Sequence, residues 1–223
     1  MTSIALVGPD GAGKTSVGRL LAADPDRKIE YLYLGVNTEA SNRMLVTTRA
    51  MGWWRRRRGA TADHGPPADA SDMFRDDRSP SLLKEAKSTL RVLNQIADEW
   101  YRQAIAEIMQ LRGFVVVFDR HYLADYSRHD MSDASGLPFH RRLHGFVLRH
   151  LHPKPDVVVM LDAPADVLLA RKGEGTVEAL ERRRQDYLAL RPTTEQFFVI
   201  DATQELAAVH AAVLDVIDQV ARR

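Results

Sequence analysis

Cysteine is missing from this 223-residue chain. That excludes disulfide and thiol chemistry, though it does not fix a compartment. A dominant charge sign is missing too: 31 Lys and Arg stand against 30 Asp and Glu. A balance so near neutrality argues against a protein that coats nucleic acid, and no nucleic-acid partner is expected. No apolar run approaches the roughly 18 residues that span a bilayer, so no membrane partner is expected either. The N-terminus already reads as a strand, so no secretory hydrophobic segment is expected ahead of it. The expectation is a soluble, cytoplasmic protein. Its 223 residues, 45% of them hydrophobic, suffice for a single α/β domain with a proper core.

What is present is concentrated near the start. Gly8-Pro9-Asp10-Gly11-Ala12-Gly13-Lys14-Thr15 satisfies the phosphate-loop pattern G-x-x-x-x-G-K-[ST]. An apolar strand, Ser3–Val7, leads into it, and a helix-compatible stretch from Ser16 to Ala23 leads out. In that setting the loop has a mechanism. Its glycines allow backbone N–H groups to turn inward around an anion, and the helix N-terminus adds positive potential. Gly8, Asp10, Gly11, Ala12, Gly13, Lys14, Thr15 and Ser16 are therefore the expected nucleotide-binding residues. Lys14 would reach the β- and γ-phosphates, and the Thr15 hydroxyl would ligate Mg²⁺.

Further strands are expected at Ile29–Leu34, Phe114–Phe118, Val157–Leu161 and Phe197–Ile200, alternating with helical patterns. That alternation predicts a parallel sheet with helices on both faces. Val115–Val117 and Val157–Val159 are continuously β-branched and read as central strands. A long helix is expected from about Ser81 to Leu111, started by Ser79-Pro80 and stopped by Gly113. Leu82, Ala86, Leu90, Leu93, Ala97, Trp100, Ala104, Ile108 and Leu111 recur at helical spacing and are expected to form its inner face. Thr203 is the expected cap of a last helix, with Leu206, Val209, Val213, Val216 and Val220 inward. Residues 53–80 show no periodicity. Beginning at Trp53-Trp54-Arg55-Arg56-Arg57-Arg58, they read as an irregular insert: a solvated segment, an anionic-ligand gate or a membrane-surface contact.

A phosphate loop alone does not separate kinases from GTPases, transport motors or helicases. The strand at 114–118 narrows the choice, because it runs into Asp119-Arg120-His121-Tyr122. An Asp at the carboxyl end of such a strand is the metal-side acid of the fold. A following Glu would activate water; here Arg120 follows, a cation suited to an anionic second substrate. After the fourth strand, Gly173 and Gly175 flank a short segment set among Arg171, Lys172, Arg182, Arg183 and Arg184. Phosphoryl transfer needs cations over the equatorial oxygens and needs water excluded, so residues 171–184 read as a lid. An exposed helix with ordinary ion pairs is the alternative.

Together, the phosphate loop, Phe118-Asp119-Arg120-His121-Tyr122 and Ala170-Arg171-Lys172-Gly173-Glu174 resemble the thymidylate kinase family of nucleoside monophosphate kinases, in a divergent branch. The resemblance covers most of the chain except roughly residues 36–80. It implies a single P-loop kinase domain over residues 1–223, a three-layer α/β sandwich built on a five-stranded parallel sheet with a small lid. It also implies ATP, Mg²⁺ and γ-phosphoryl transfer to a nucleoside monophosphate. Asp10 would sit near the acceptor sugar or the metal, Asp119 would serve the metal with Thr15, and Arg120 would hold the acceptor phosphate. Arg171 would close over the donor phosphates, and Arg184 would join it in the lid.

The sequence departs from the family at the acceptor side. His121-Tyr122-Leu123-Ala124-Asp125-Tyr126 replaces the usual small polar residue and aromatic–Gln pair, and Asp77-Arg78 only loosely echoes the usual Asp-Arg. Three readings follow: a nucleotide kinase, a kinase of a non-phosphorylated small molecule such as a nucleoside or sugar, and a nucleotide-binding module without turnover. The partner expected is a small anionic acceptor, with a homodimer left open. His140, His144, His150 and His152 do not form a tight metal pattern, and His64 falls in the irregular segment.

Overall fold

The computed structural model describes residues 2–34, 43, 45–57, 82–119, 121 and 139–221. Five strands form one parallel sheet: β1 (Ser3–Val7), β2 (Ile29–Tyr33), β3 (Val115–Asp119), β4 (Val157–Asp162) and β5 (Phe197–Asp201). Their order is β2-β3-β1-β4-β5. The helices are α1 (Lys14–Ala22), α2 (Val46–Arg57), α3 (Leu82–Leu111), α4 (Phe139–His150), α5 (Ala165–Lys172), α6 (Val177–Leu188) and α7 (Leu206–Ala221).

The strands form where β-branched runs are buried on both sides. Every residue of β1 is buried, as are Val116 and Val117 of β3 and Val157–Leu161 of β4. One face of the sheet takes Val17 and Leu21 of α1, Val209, Val213 and Ile217 of α7, and Leu168 of α5 against Ile4, Leu6 and Val159. The opposite face packs in two patches. Tyr187 and Leu188 of α6 cover Ala5, Val7 and Met160, while Ala106, Ile105 and Met109 of α3 cover Leu32, Val116 and Phe118. β1 sits between β3 and β4, so the connections at its carboxyl end diverge to opposite sides. Ligands of open α/β sheets bind in the crevice at that switch point.

Three expectations change. The insert expected from residue 53 starts no earlier than 58, because Trp53–Arg57 belong to α2. Val46, Ala50, Trp53 and Trp54 fall at helical spacing, yet Val46, Trp53 and Trp54 are exposed, and the contacts described between α2 and α3 are polar. Asp98 Oδ1 accepts from Leu45 N at 2.8 Å and from the Thr48 hydroxyl at 3.1 Å. Residues 58–80, with His64, Asp77-Arg78 and Ser79-Pro80, lie outside the described residues. Thr203 does not cap α7; its N–H and hydroxyl both donate to Asp201 Oδ1, at 2.8 and 2.6 Å.

The third change concerns α3. Of the stripe expected inward, Leu90 is 68% exposed, Leu93 46%, Trp100 40%, Ile108 47% and Leu111 69%. Buried instead are Asp98, Glu99, Arg102 and Gln103. Asp98 and Arg102 can go inside because they are paired, whereas Glu99 Oε2 and Gln103 Oε1 have no hydrogen-bond partner among the described residues. Arg102 Nη2 lies 2.6 Å from Asp98 Oδ2, and Arg102 Nη1 donates to Tyr33 O at 3.2 Å. Gln95 Nε2 donates to Glu99 Oε1 at 3.1 Å, and His144 Nε2 of α4 lies 3.4 Å from the same oxygen. Periodicity finds a helix's apolar stripe but not the surface that covers it.

Candidate active site

The loop between β1 and α1 is shaped by close backbone approaches. Gly8 has φ 145, and a Cβ there would lie 2.5 Å from Leu161 O; Gly11 has φ 90, and its Cβ would lie 2.7 Å from Leu168 O. A side chain at either position would push the loop off β4 and α5. Gly13, left-handed at φ 87, is the residue from which α1 starts, and Val17 N donates to its carbonyl at 3.0 Å. The first turn of α1 carries no acidic residue, so nothing on that turn offsets the positive helix end. Lys14 is buried at the loop, its Nζ donating to Gly8 O at 2.6 Å and Pro9 O at 2.9 Å. The ammonium is thus held at the mouth of the loop.

Register brings the second half of the site alongside. Leu6 of β1 and Tyr33 of β2 both pair with Asp119, at the carboxyl end of β3. The Thr15 hydroxyl donates to Asp119 Oδ2 at 3.0 Å, so the two residues expected to serve one cation do meet. Asp119 is wholly buried, and its Oδ1 has no hydrogen-bond partner among the described residues. A hydroxyl beside a carboxylate oxygen is a hard-oxygen donor set. It suits Mg²⁺, which binds through one or two carboxylates plus substrate phosphates rather than a protein cage. No cluster of three or more His, Asp or Glu able to hold a metal occurs among the described residues. Arg120 lies outside them.

Sequence reasoning missed one neighbour of this pair. The Tyr31 hydroxyl donates to Asp119 Oδ2 at 2.5 Å. Burial, then the charge of Asp119, raises the Tyr31 pKa far above its ordinary value, so the phenol stays protonated. The available signal was Gly18, a glycine inside a helical pattern, which marks a close approach. His121, left open by the sequence, is buried at 1% exposure against Phe118. Burial, with His152 adding to it, pulls its pKa down to about 3. An imidazole so disposed is uncharged near neutral pH and keeps a single ring N–H.

The segment expected to be a lid is a helical hairpin, α5 and α6, joined through Gly173 and Gly175 at φ 69 and 88. The Thr176 hydroxyl caps α6 by accepting from Ala179 N at 3.2 Å. Its cations have different attachments. Arg171 donates to Ala202 O at 2.7 Å and Thr203 O at 3.4 Å, which ties α5 to the loop after β5. Arg184 forks onto both oxygens of Asp162 at the end of β4, at 2.6 and 2.9 Å. Those bonds raise its pKa further. Arg183, not singled out from its neighbours by the sequence, reaches the phosphate loop itself, 2.9 Å from Asp10 Oδ2; Lys172 lies 3.7 Å from the same oxygen. These half-exposed pairs are worth little energetically, so they orient the hairpin over the loop without locking it.

The β2-β3-β1-β4-β5 order with a phosphate loop leaving β1 defines a P-loop kinase fold. No family model matches the chain. Against curated proteins, it is 28% identical over 227 aligned residues to the thymidylate kinase of Xylella fastidiosa strain M12, covering 98% of this chain and 88% of that protein. It is 31% identical over 163 residues to the thymidylate kinase of Shewanella sp. strain MR-4, covering 69% of this chain and 71% of that protein. The chain belongs to the thymidylate kinase family.

Proposed function

We propose that the protein is an ATP-dependent phosphotransferase that moves the γ-phosphoryl group to a nucleoside monophosphate, with thymidylate the first acceptor to test. The observation that supports it most is the meeting of Thr15 and Asp119 at 3.0 Å beside the phosphate loop, with one buried carboxylate oxygen unused among the described residues. When bound, Mg²⁺ supplies neutralisation of the charge that builds on the phosphoryl oxygens. The rest of the task belongs to the chain. Backbone N–H groups of Gly8 and of residues 10–16 cradle the donor phosphates, Lys14 steers the β- and γ-phosphates, and Thr15 and Asp119 hold the metal side. Asp10, on the loop rim, is assigned a place near the acceptor sugar or the metal. Arg171 and Arg184 brace the hairpin that shields the reaction from water.

Arg120, next to Asp119 in sequence, is assigned to the acceptor phosphate. Losing one charge-assisted contact of that kind costs about 1.5–3 kcal/mol. Arg120→Ala is therefore expected to raise the acceptor KM about ten- to a hundred-fold while the ATP KM stays within about twofold. Steady-state kinetics check it, and unchanged acceptor kinetics would remove Arg120 from the role. The acceptor-side departures, Leu123-Ala124-Asp125-Tyr126, favour a second reading in which the acceptor is not phosphorylated. ADP release across a panel of nucleoside monophosphates, nucleosides and sugars decides between them. Turnover confined to monophosphates supports the first reading, and turnover confined to unphosphorylated compounds overturns it.

The outward stripe of α3 supports a homodimer. Leu90, Leu93, Trp100, Ile108 and Leu111 make an exposed apolar surface along a 30-residue helix. Surfaces of that kind mark protein–protein contacts. In analytical ultracentrifugation the protein is expected to sediment as a dimer, and Leu93→Glu with Ile108→Glu as a monomer. A monomeric wild type at micromolar concentration contradicts this.

A further inference from the structure

Asp119 is bound asymmetrically. Its Oδ2 accepts from two hydroxyls, Tyr31 at 2.5 Å and Thr15 at 3.0 Å, while its buried Oδ1 accepts from none among the described residues. Leaving a buried carboxylate oxygen unmatched is costly unless a ligand completes it. Doubling both donors on the other oxygen fixes the rotamer. Without the phenol, the carboxylate could turn either oxygen toward Thr15, and the two arrangements would compete.

The phenol is itself held. Tyr31 lies on the α1 face of the sheet, paired with Val117 two residues before Asp119. Its ring lies against α1 at Gly18, where an added Cβ would overlap the ring atoms. Gly18 is buried in the middle of α1. A glycine costs roughly 1 kcal/mol relative to alanine in a helix interior. Here it supplies the space through which a β2 side chain reaches the carboxyl end of β3.

We propose that Tyr31 is a positioning residue of the phosphoryl-transfer site, whose hydroxyl holds Asp119 with Oδ1 turned toward the metal position and which Gly18 admits to that place. This rests on the reading of Thr15 and Asp119 as the metal side of a kinase. The hydrogen-bonding partners of metal-binding carboxylates set ligand orientation, and removing one typically costs ten- to a hundred-fold in metal affinity.

The test measures Mn²⁺ binding to the protein saturated with ADP, by electron paramagnetic resonance of the free ion, on wild type and four variants. Tyr31→Phe keeps the ring and removes the donor. It is expected to weaken Mn²⁺ binding about tenfold and to raise the Mg²⁺ concentration for half-maximal turnover in parallel, with metal-free ADP affinity within about twofold of wild type. Gly18→Ala keeps the donor but displaces the ring, and is expected to weaken Mn²⁺ binding in the same direction. The double variant is expected to be no worse than the weaker-binding single, since both act on one contact. Asp119→Asn is the reference for losing the carboxylate. If Tyr31→Phe binds Mn²⁺ like wild type while Asp119→Asn does not, Tyr31 has no positioning role and the kinase reading stands. If the two single effects simply add, the coupling through Gly18 is overturned. If Asp119→Asn matches wild type, the metal-side assignment itself fails.

Discussion

Lys14→Ala is expected to lower kcat/KM for phosphoryl transfer by about a thousandfold or more, equivalent to about 4 kcal/mol of transition-state stabilisation. The physical reason is position. Lys14 stands at the first turn of α1, buried, with its ammonium already drawn to the loop carbonyls of Gly8 and Pro9. No other lysine or arginine among the described residues is anchored inside the loop; Arg183 and Lys172 approach only its rim at Asp10. Alanine is a good helix former, so α1 should keep its shape and the loss should fall on chemistry. Coupled-assay kinetics with thermal melting on the same sample separate the two. A variant that melts near wild type and is inactive fits this account, and one that keeps more than about a tenth of the activity does not.

Asp98→Ala is expected to cost about 3–5 kcal/mol of stability, because it removes one partner of a buried ion pair. Asp98 and Arg102 are 3% and 6% exposed at the side chain and 2.6 Å apart. Without its carboxylate, the guanidinium stays buried beside the Tyr33 carbonyl. Two further bonds go as well, from Leu45 N and the Thr48 hydroxyl, and with them the contact that seats α2 on α3. For a chain of this size, each kcal/mol shifts the melting temperature by roughly 2–4 °C, so a drop of about 10 °C is expected. Calorimetry checks it. A shift under about 2 °C would mean that the pair contributes little, and that apolar packing alone seats the long helix.

The parts of this molecule that were legible in the sequence are those in which one local pattern has one structural answer. A β-branched run with nothing to pair at its surface must be buried on both sides, and so Val115–Val117 and Val157–Val159 were readable as central strands. The phosphate loop was readable because its glycines are needed for positive φ and close approach at Gly8 and Gly11. Harder were the choices made between elements. The α3 stripe is as periodic as expected, yet it faces outward, because the inner side carries the Asp98–Arg102 pair and, further along, Ile105, Ala106 and Met109. In α2 the apolar residues Val46, Trp53 and Trp54 stay exposed, and the described seat is a carboxylate on another helix. Among the lid cations, composition could not say that Arg184 would fork onto Asp162 while its neighbour Arg183 reached Asp10. Tyr31 left only the trace at Gly18, since its hydroxyl finds Asp119 from a neighbouring strand 88 residues away.

The central claim is that the amino-terminal loop and the carboxylate ending β3 form one site that hands a phosphoryl group to a monophosphate. The most direct test follows the label from γ-³²P-ATP in the presence of Mg²⁺ and thymidylate, for wild type and Asp119→Asn. The account predicts label in a nucleoside diphosphate with wild type and none above background with the variant. Label released only as inorganic phosphate, or transferred equally well by Asp119→Asn, would contradict it.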